Sequence, residues 1–212
     1  MSKTIDYDQL AEDIALLSGG IPDIAIRQIL PMCVQRYATE SMCFVETVDG
    51  HIKDSVFVPG DNCQGGIPSS PRYEVISVEQ VTYKRNIVPM VSRKGSANVI
   101  GPSATLHTTN DDRLTVKFTG ISDTDENTVT VTYYIAPKRN ADSCMTPRDE
   151  GLFNRAVTSL CLYYLRMMPN RDWSDTQLAA HNLAVYESLV VEGKRKAKNN
   201  DTPNLRECIF SW

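Results

Sequence analysis

The sequence predicts a mixed α+β fold in which helices from both ends of the chain accompany an inserted antiparallel β-module. Three observations lead there. Apolar residues recur at helical spacing before Ser41 and again after Pro147. Between them the period changes to two, the mark of strands with one buried and one wet face. From Asn199 onward the chain turns polar and then closes on Ile209, Phe210, Ser211 and Trp212. The expected organisation is a helical domain built from residues 1–41 and 147–198, a β-module over 42–138 that is a small sandwich or a curled sheet, and an extended C-terminal arm over 199–212.

The first helix is expected to start at Asp6 as N-cap, to bury Leu10, Ile14 and Leu17, and to stop at Gly19 and Gly20. A second starts near Pro22, with Ile26, Ile29, Leu30, Cys33, Val34 and Tyr37 as its apolar face. Pro31 falls inside that pattern and predicts a kink or a break.

In the middle, Phe44–Val48 and Ile52–Val58 flank Asp49-Gly50, a strong two-residue hairpin signal. Pro59–Pro71 reads as a loop, and Tyr73–Tyr83 as a strand whose alternation slips at a bulge. Ile87–Val91 carries Pro89 and suits a short edge strand; Ser92–Asp112 reads as a polar loop. The clearest strands are Arg113–Phe118 and Thr128–Ala136, joined by the acidic turn Ser122–Asn127.

After Pro147 comes a helix with two apolar stripes. Leu152, Ala156, Leu160, Tyr163 and Met167 form one; Phe153, Val157, Tyr164 and Met168 form the other. A helix apolar nearly all round buries more than one side, so Phe153, Val157, Tyr164 and Met168 are candidates for a subunit interface. Pro169-Asn170 ends it. Ser174, with Gln177 three residues on, reads as the capping box of the last helix, whose buried face is Ala179, Leu183, Tyr186 and Val190.

A net charge of -4 argues against a protein built to grip nucleic-acid phosphates. The N-terminus has acids where a signal peptide has a basic and then an apolar run, and no stretch has the apolar length of a membrane span. The expectation is a protein made in a reducing cytoplasm. Its six cysteines include no C-x-x-C pair, and Cys33 and Cys161 lie in apolar helical patterns as small hydrophobes.

Motifs for chemistry are sparse. There is no Walker A loop, no G-x-G-x-x-G after a strand and no G-x-S-x-G elbow, and no catalytic residue, cofactor or metal ligand is assigned. His51, His107 and His181 are isolated. Asp123-Thr-Asp125-Glu-Asn127 opens like a calcium loop but lacks its later Gly and Glu, so it reads as a solvated turn. Lys194, Arg195, Lys196 and Lys198 are a dipole-matched helix end first, a contact for an acidic partner second, and a phosphate contact third. Leu205, Ile209, Phe210 and Trp212 either anchor the arm in a partner or fold back onto their own domain.

Five segments carry a resemblance: Gly19-Gly-Ile-Pro-Asp23, Cys33-Val-Gln-Arg-Tyr-Ala-Thr-Glu-Ser41, Val131-Thr-Tyr-Tyr-Ile-Ala-Pro137, Met168-Pro-Asn-Arg-Asp-Trp173, and Ala179, Ala180, Ala184 with Lys194–Lys198. In this order the chain resembles the head-to-tail adaptor (connector) proteins of tailed bacteriophages, over roughly Gly19 to Lys198. The resemblance implies a structural virion protein, not an enzyme. It implies a ring of about twelve copies under the portal protein, with tail or neck proteins as further partners. Double-stranded DNA would pass through the lumen without sequence-specific binding, and no membrane is involved. The place implied is the virion neck. A tail-completion or tail-tube-end protein is the alternative in the same class. From other classes come a regulatory binding module and an enzyme with a site around His181, Asp175 and Glu187.

Overall fold

The computed structural model describes residues 4–60, 72–91, 101–108, 114–124, 128–147 and 149–201, with Thr108 and residues 198–201 described by backbone alone. The fold is mixed α+β, with four helices and a large, nearly barrel-shaped antiparallel sheet among the described residues. The chain divides into two compact units. One runs to Phe44 and resumes at Ala136; the other is Val45–Ile135.

The helical unit begins with a short strand, β1 (Thr4–Asp6), which pairs antiparallel with β9 (Ser143–Met145) in the register Ile5↔Cys144. The polar neighbours of these three-residue strands gave them no alternation to read. Asp6 caps α1 (Tyr7–Leu17), its carboxylate accepting from the Asp8 N–H at 2.8 Å. Leu10 and Ile14 are buried, but Leu17 is 69% exposed. α1 buries the stripe of Tyr7, Leu10, Ala11 and Ile14 and ends at Leu17, so that residue has no core beneath it. Gly19 and Gly20, both at positive φ, turn the chain into α2 (Asp23–Ser41).

Of the kink or break expected at Pro31, the break does not occur: α2 is continuous through it. Burial of Ile26, Leu30, Cys33, Val34, Tyr37 and Ala38 holds the helix on both sides of the proline. α3 (Glu150–Arg166) and α4 (Thr176–Asp201) complete the unit and pack on each other and on α2. Ser174 is not the N-cap of α4. Asp175 is, its Oδ1 accepting from the Gln177 and Leu178 N–H groups at 3.0 and 2.9 Å. The Ser174 hydroxyl instead pins the turn, donating to the Met168 carbonyl and accepting from the Arg171 N–H.

The second unit is one seven-stranded sheet. Its strands are β2 (Val45–Lys53), β3 (Val56–Pro59), β4 (Tyr73–Tyr83), β5 (Asn86–Val88), β6 (Ser103–Thr108), β7 (Leu114–Thr119) and β8 (Val129–Pro137). They lie in the order β5-β4-β8-β2-β3-β7-β6. The segment that follows β5 also meets β6, in an isolated parallel bridge of Met90 with Ala104. The Ala104 N–H donates to the Pro89 carbonyl and the Val91 N–H to the Ala104 carbonyl, both at 2.9 Å. The sheet therefore curls nearly into a barrel, with its two ends tied at this one bridge. Ile52, Phe57, Val81, Ala104, Val116, Val129 and Val131 are fully buried.

Two expectations in this unit are corrected. β6 lies inside the stretch read as a polar loop. Its residues are Ser, Thr and His around Ala104 and Leu106, too polar to signal a strand, yet Ser103, Ala104 and Thr105 are buried against β7. The hairpin is not at Asp49-Gly50, which lie inside β2. It is at Asp54-Ser55, with Lys53 opposite Val56 and both turn residues at positive φ, as a type I′ turn requires. The Asp123 carboxylate steadies that turn by accepting from the Asp54 and Ser55 N–H groups at 2.8 and 3.1 Å. These bonds hold its carboxyl below the usual range. Lys84-Arg85 makes the same kind of turn between β4 and β5.

Gly50 is glycine for want of room. A Cβ there would stand 2.2 Å from the Val58 carbonyl oxygen and 2.6 Å from the Phe57 ring. Gly50→Ala is expected to destabilise the protein by about 3 kcal/mol, the upper range for overpacking, because backbone has to move. Urea unfolding measures it; a loss under about 0.5 kcal/mol would contradict the crowding.

Candidate functional site

The helical unit is organised around α3. Phe153, Ala156, Val157, Leu160, Cys161 and Leu165 are fully buried. The Phe153 ring meets Tyr37 of α2 at 5.7 Å and Phe44 at 5.9 Å, both edge-on, and Tyr37 meets Tyr186 of α4 at 6.4 Å. Gly193 lets α4 approach α2: a Cβ there would lie 3.0 Å from the Tyr37 hydroxyl and 3.1 Å from Ser41 Cβ.

Beside this aromatic cluster, Arg36 joins three helices. Its Nε donates to Glu40 at 2.8 Å and its Nη1 to the Tyr164 hydroxyl at 2.5 Å. The Tyr186 hydroxyl donates to the other Glu40 oxygen at 2.8 Å, and the guanidinium lies 5.5 Å from the Tyr186 ring centroid. The bond to Glu40 raises the Arg36 pKa, and burial followed by the Glu40 carboxylate raises that of Tyr186. Both side chains keep one charge state at any physiological pH, so the network is a fixed brace. Sequence reading passed over it, although Arg36 and Glu40 stand at i,i+4 spacing.

A second brace joins α3 to α4. Asp149 caps α3, accepting from the Leu152 N–H at 2.9 Å, and its other oxygen accepts from Lys196 at 2.7 Å. Lys196 also pairs with Glu192 at 2.8 Å. The Lys196 hydrogen bond, then the Leu152 N–H, hold the Asp149 carboxyl below its usual range.

The unit also carries an open cleft of about 440 Å³, lined by β1, the start of α1, Arg27, Leu30 and Pro31 of α2, and Ala141–Ser143. Arg27 reaches across its mouth to Asp8, and pairs with Asp23 at 2.6 Å and Glu12 at 3.5 Å. Pro31 leaves the Arg27 carbonyl without its helical donor, and both residues line this cleft.

The residues singled out from the sequence fall in different places. Phe153 and Val157 are enclosed within their own unit and are not available to another subunit. A helix apolar on two sides is here satisfied by α2 and α4 of the same chain. Tyr164 and Met168 are half-buried, and Tyr164 is engaged by Arg36. Lys194 and Arg195 are exposed, whereas Lys196 is held by Asp149 and Glu192. The Lys198 side chain and the arm residues Leu205, Ile209, Phe210 and Trp212 lie outside the described residues.

His181 and Glu187 are exposed on α4 while Asp175 caps it, so these three do not converge on one point. Among the described residues no group of three or more His, Cys, Asp or Glu side chains is placed to hold a metal ion. Cys33, Cys43, Cys144 and Cys161 are free thiols. Burial pushes Cys43 and Cys144 up to about 12 and Cys161 well above its usual value, so none of these three is a thiolate near neutral pH. No described helix is long and apolar enough to cross a membrane. No protein-family model matches the chain, and no curated protein matches it.

The Asp149 brace has a pH signature. Because its folded pKa is depressed, its contribution is fully present above the unfolded value of about 3.9 and is lost as pH falls through the folded one. Asp149→Ala is expected to cost about 1 kcal/mol at pH 7, as for a lost N-cap. Asp149→Asn, which keeps an acceptor, should cost less. In urea unfolding the gap between the wild type and Asp149→Ala should narrow below about pH 4; a gap independent of pH would contradict the ionised brace.

Proposed function

We propose that this chain is a structural protein of a tailed-bacteriophage neck: an adaptor that assembles as a ring beneath the portal, extends the DNA channel and offers a seat to tail components. The observation that carries the reading is the helical unit. Two segments far apart in sequence close into one braced body with an antiparallel β-unit inserted between them, in the order that the adaptor resemblance implies. That body leaves large apolar side chains uncovered, most of them near the turns between its helices. Leu16, Leu17 and Ile24 lie around the α1–α2 turn; Met167 and Leu178 lie around the α3–α4 turn; Val191 lies on α4. Clustered exposed apolar residues mark contact surfaces more often than accidents.

On this reading Lys194 and Arg195 face a neighbouring protein or the DNA, and Leu205, Ile209, Phe210 and Trp212 anchor to the portal or to the next adaptor. The net charge of -4 keeps a lumen from holding the DNA that must slide through it. The chain would be made in the host cytoplasm and act in the virion.

Electron microscopy of the protein mixed with purified portal tests this. The expected result is a ring of fixed symmetry stacked on the portal, lost on deletion of residues 199–212 while the truncated protein keeps its melting temperature. A monomer that ignores the portal at high concentration would contradict the proposal. Unfolding of the truncated chain would instead mean that the arm packs on its own domain.

A further inference from the structure

The helical unit has two exposed flanks of complementary character. α1 packs chiefly on α2, while α4 packs on α3 and on α2, so α1 and α4 form different flanks of the unit. On α1 the free face carries Glu12, Asp13, Leu16 and Leu17 at successive helical neighbours, all exposed, with Leu16 at 85% and Leu17 at 69%. On α4 the free face carries Val191, 67% exposed, with Lys194 and Arg195 three and four residues on. The α1 face thus sets Leu16 and Leu17 beside Asp13 and Glu12, the latter also 3.5 Å from Arg27, and the C-terminal part of the α4 face sets Val191 beside Lys194 and Arg195, with Glu187 one turn before it. Lys196 is paired with Asp149 and Glu192, while Lys194 and Arg195 are exposed beside it.

We infer that these faces meet each other in trans: the acidic-apolar flank of α1 in one copy seats on the basic-apolar flank of α4 in the next. The occupant is a second copy of this chain because each face finds its complement in charge and apolar character on the same molecule. Two different patches on one body make a head-to-tail contact, which propagates, and closes into a ring when the rotation per copy permits. A self-complementary patch would stop at a dimer. The inference deepens the ring reading above by assigning its subunit contact, and it rests on the helical unit alone.

Charge reversal tests it in the full-length protein. Two variants are made: Glu12→Lys with Asp13→Lys, and Lys194→Glu with Arg195→Glu. Both sets of positions are exposed, and circular dichroism and thermal melts confirm folding; Asp13→Lys and Lys194→Glu alone serve if a double variant misfolds. Sedimentation velocity is expected to give concentration-dependent species larger than a dimer for the wild type, weakened by raised salt. Each double variant should weaken association by about tenfold or more. Mixing the two variants should restore it, since every α1–α4 contact between unlike copies is again of opposite sign. The chain carrying all four reversals should restore it too.

A wild type that stays monomeric at high concentration or stops at a dimer would overturn the inference, as would reversals without effect or mixtures without rescue. The two proposals fail separately. A protein that decorates the portal but is indifferent to these reversals keeps the adaptor reading and loses this contact. One that assembles as expected yet ignores the portal does the opposite.

Discussion

Enclosing α3 is the constraint on which the helical unit depends. Its apolar residues point to more than one side, so no single neighbour can cover it, and α2 and α4 must both be present. α2 comes from before the β-unit and α4 from after it, so burying α3 brings distant parts of the chain together. The polar bonds follow the same geometry. Arg36 reaches α3 at Tyr164 while Glu40 holds α4 at Tyr186, and Lys196 of α4 reaches back to the cap of α3 at Asp149. The Arg36–Tyr164 and Glu40–Tyr186 bonds need α2 beside the α3–α4 pair, whereas Lys196–Asp149 ties α3 to α4 directly. An Arg at this junction does what Lys cannot, because its fork serves Glu40 and Tyr164 at once while its plane lies near the Tyr186 ring.

The β-unit solves a different problem. A twisted seven-stranded sheet has two edges, and here the segment after β5 ties one to the other through Pro89, Val91 and Ala104. Pro89 suits that edge because it contributes only its carbonyl, which the Ala104 N–H takes. The two tight hairpins use Asp-Ser and Lys-Arg instead of glycine or asparagine in the left-handed region. At the first of them the Asp123 carboxylate offsets the strain by bonding both turn N–H groups. That role also accounts for Asp123, the first residue of the stretch that begins like a calcium loop: its two oxygens each accept a backbone N–H of the β2–β3 turn.

What the sequence made legible was what local chemistry decides. The Asp6 cap, the glycine stop after α1, the buried face of α2 and the alternation of β7 and β8 all rest on neighbours a few residues away. The errors share another cause. Asp49-Gly50 has the composition of a turn, but the turn sits where Asp123, about seventy residues on, can bond it. Gly50 is small because Phe57 and Val58 cross above it. β6 is a strand because β7 pairs with it, not because its residues favour one. Phe153 and Val157 looked like surplus apolar surface because the sequence does not say that α2 returns to cover them. Lys196 looked like one of four equal cations until Asp149 was seen beside it. In the candidate site, the exposed cations Lys194 and Arg195 were therefore legible as a group, while the ion pairing of Lys196 was not.

The same separation underlies the functional proposal. α3 serves the interior, and on the proposed reading contact with other copies is left to the flanks, α1 on one and α4 on another. Site-directed cross-linking reads this most directly. With Leu17→Cys and Val191→Cys in one chain whose Cys43, Cys63 and Cys208 are replaced by Ser, mild oxidation at assembly concentration should give a ladder of covalent multimers that ends in a closed ring. Either substitution alone should give no ladder. A double variant that stays monomeric under conditions where the wild type assembles, or that stops at a dimer, would contradict the account.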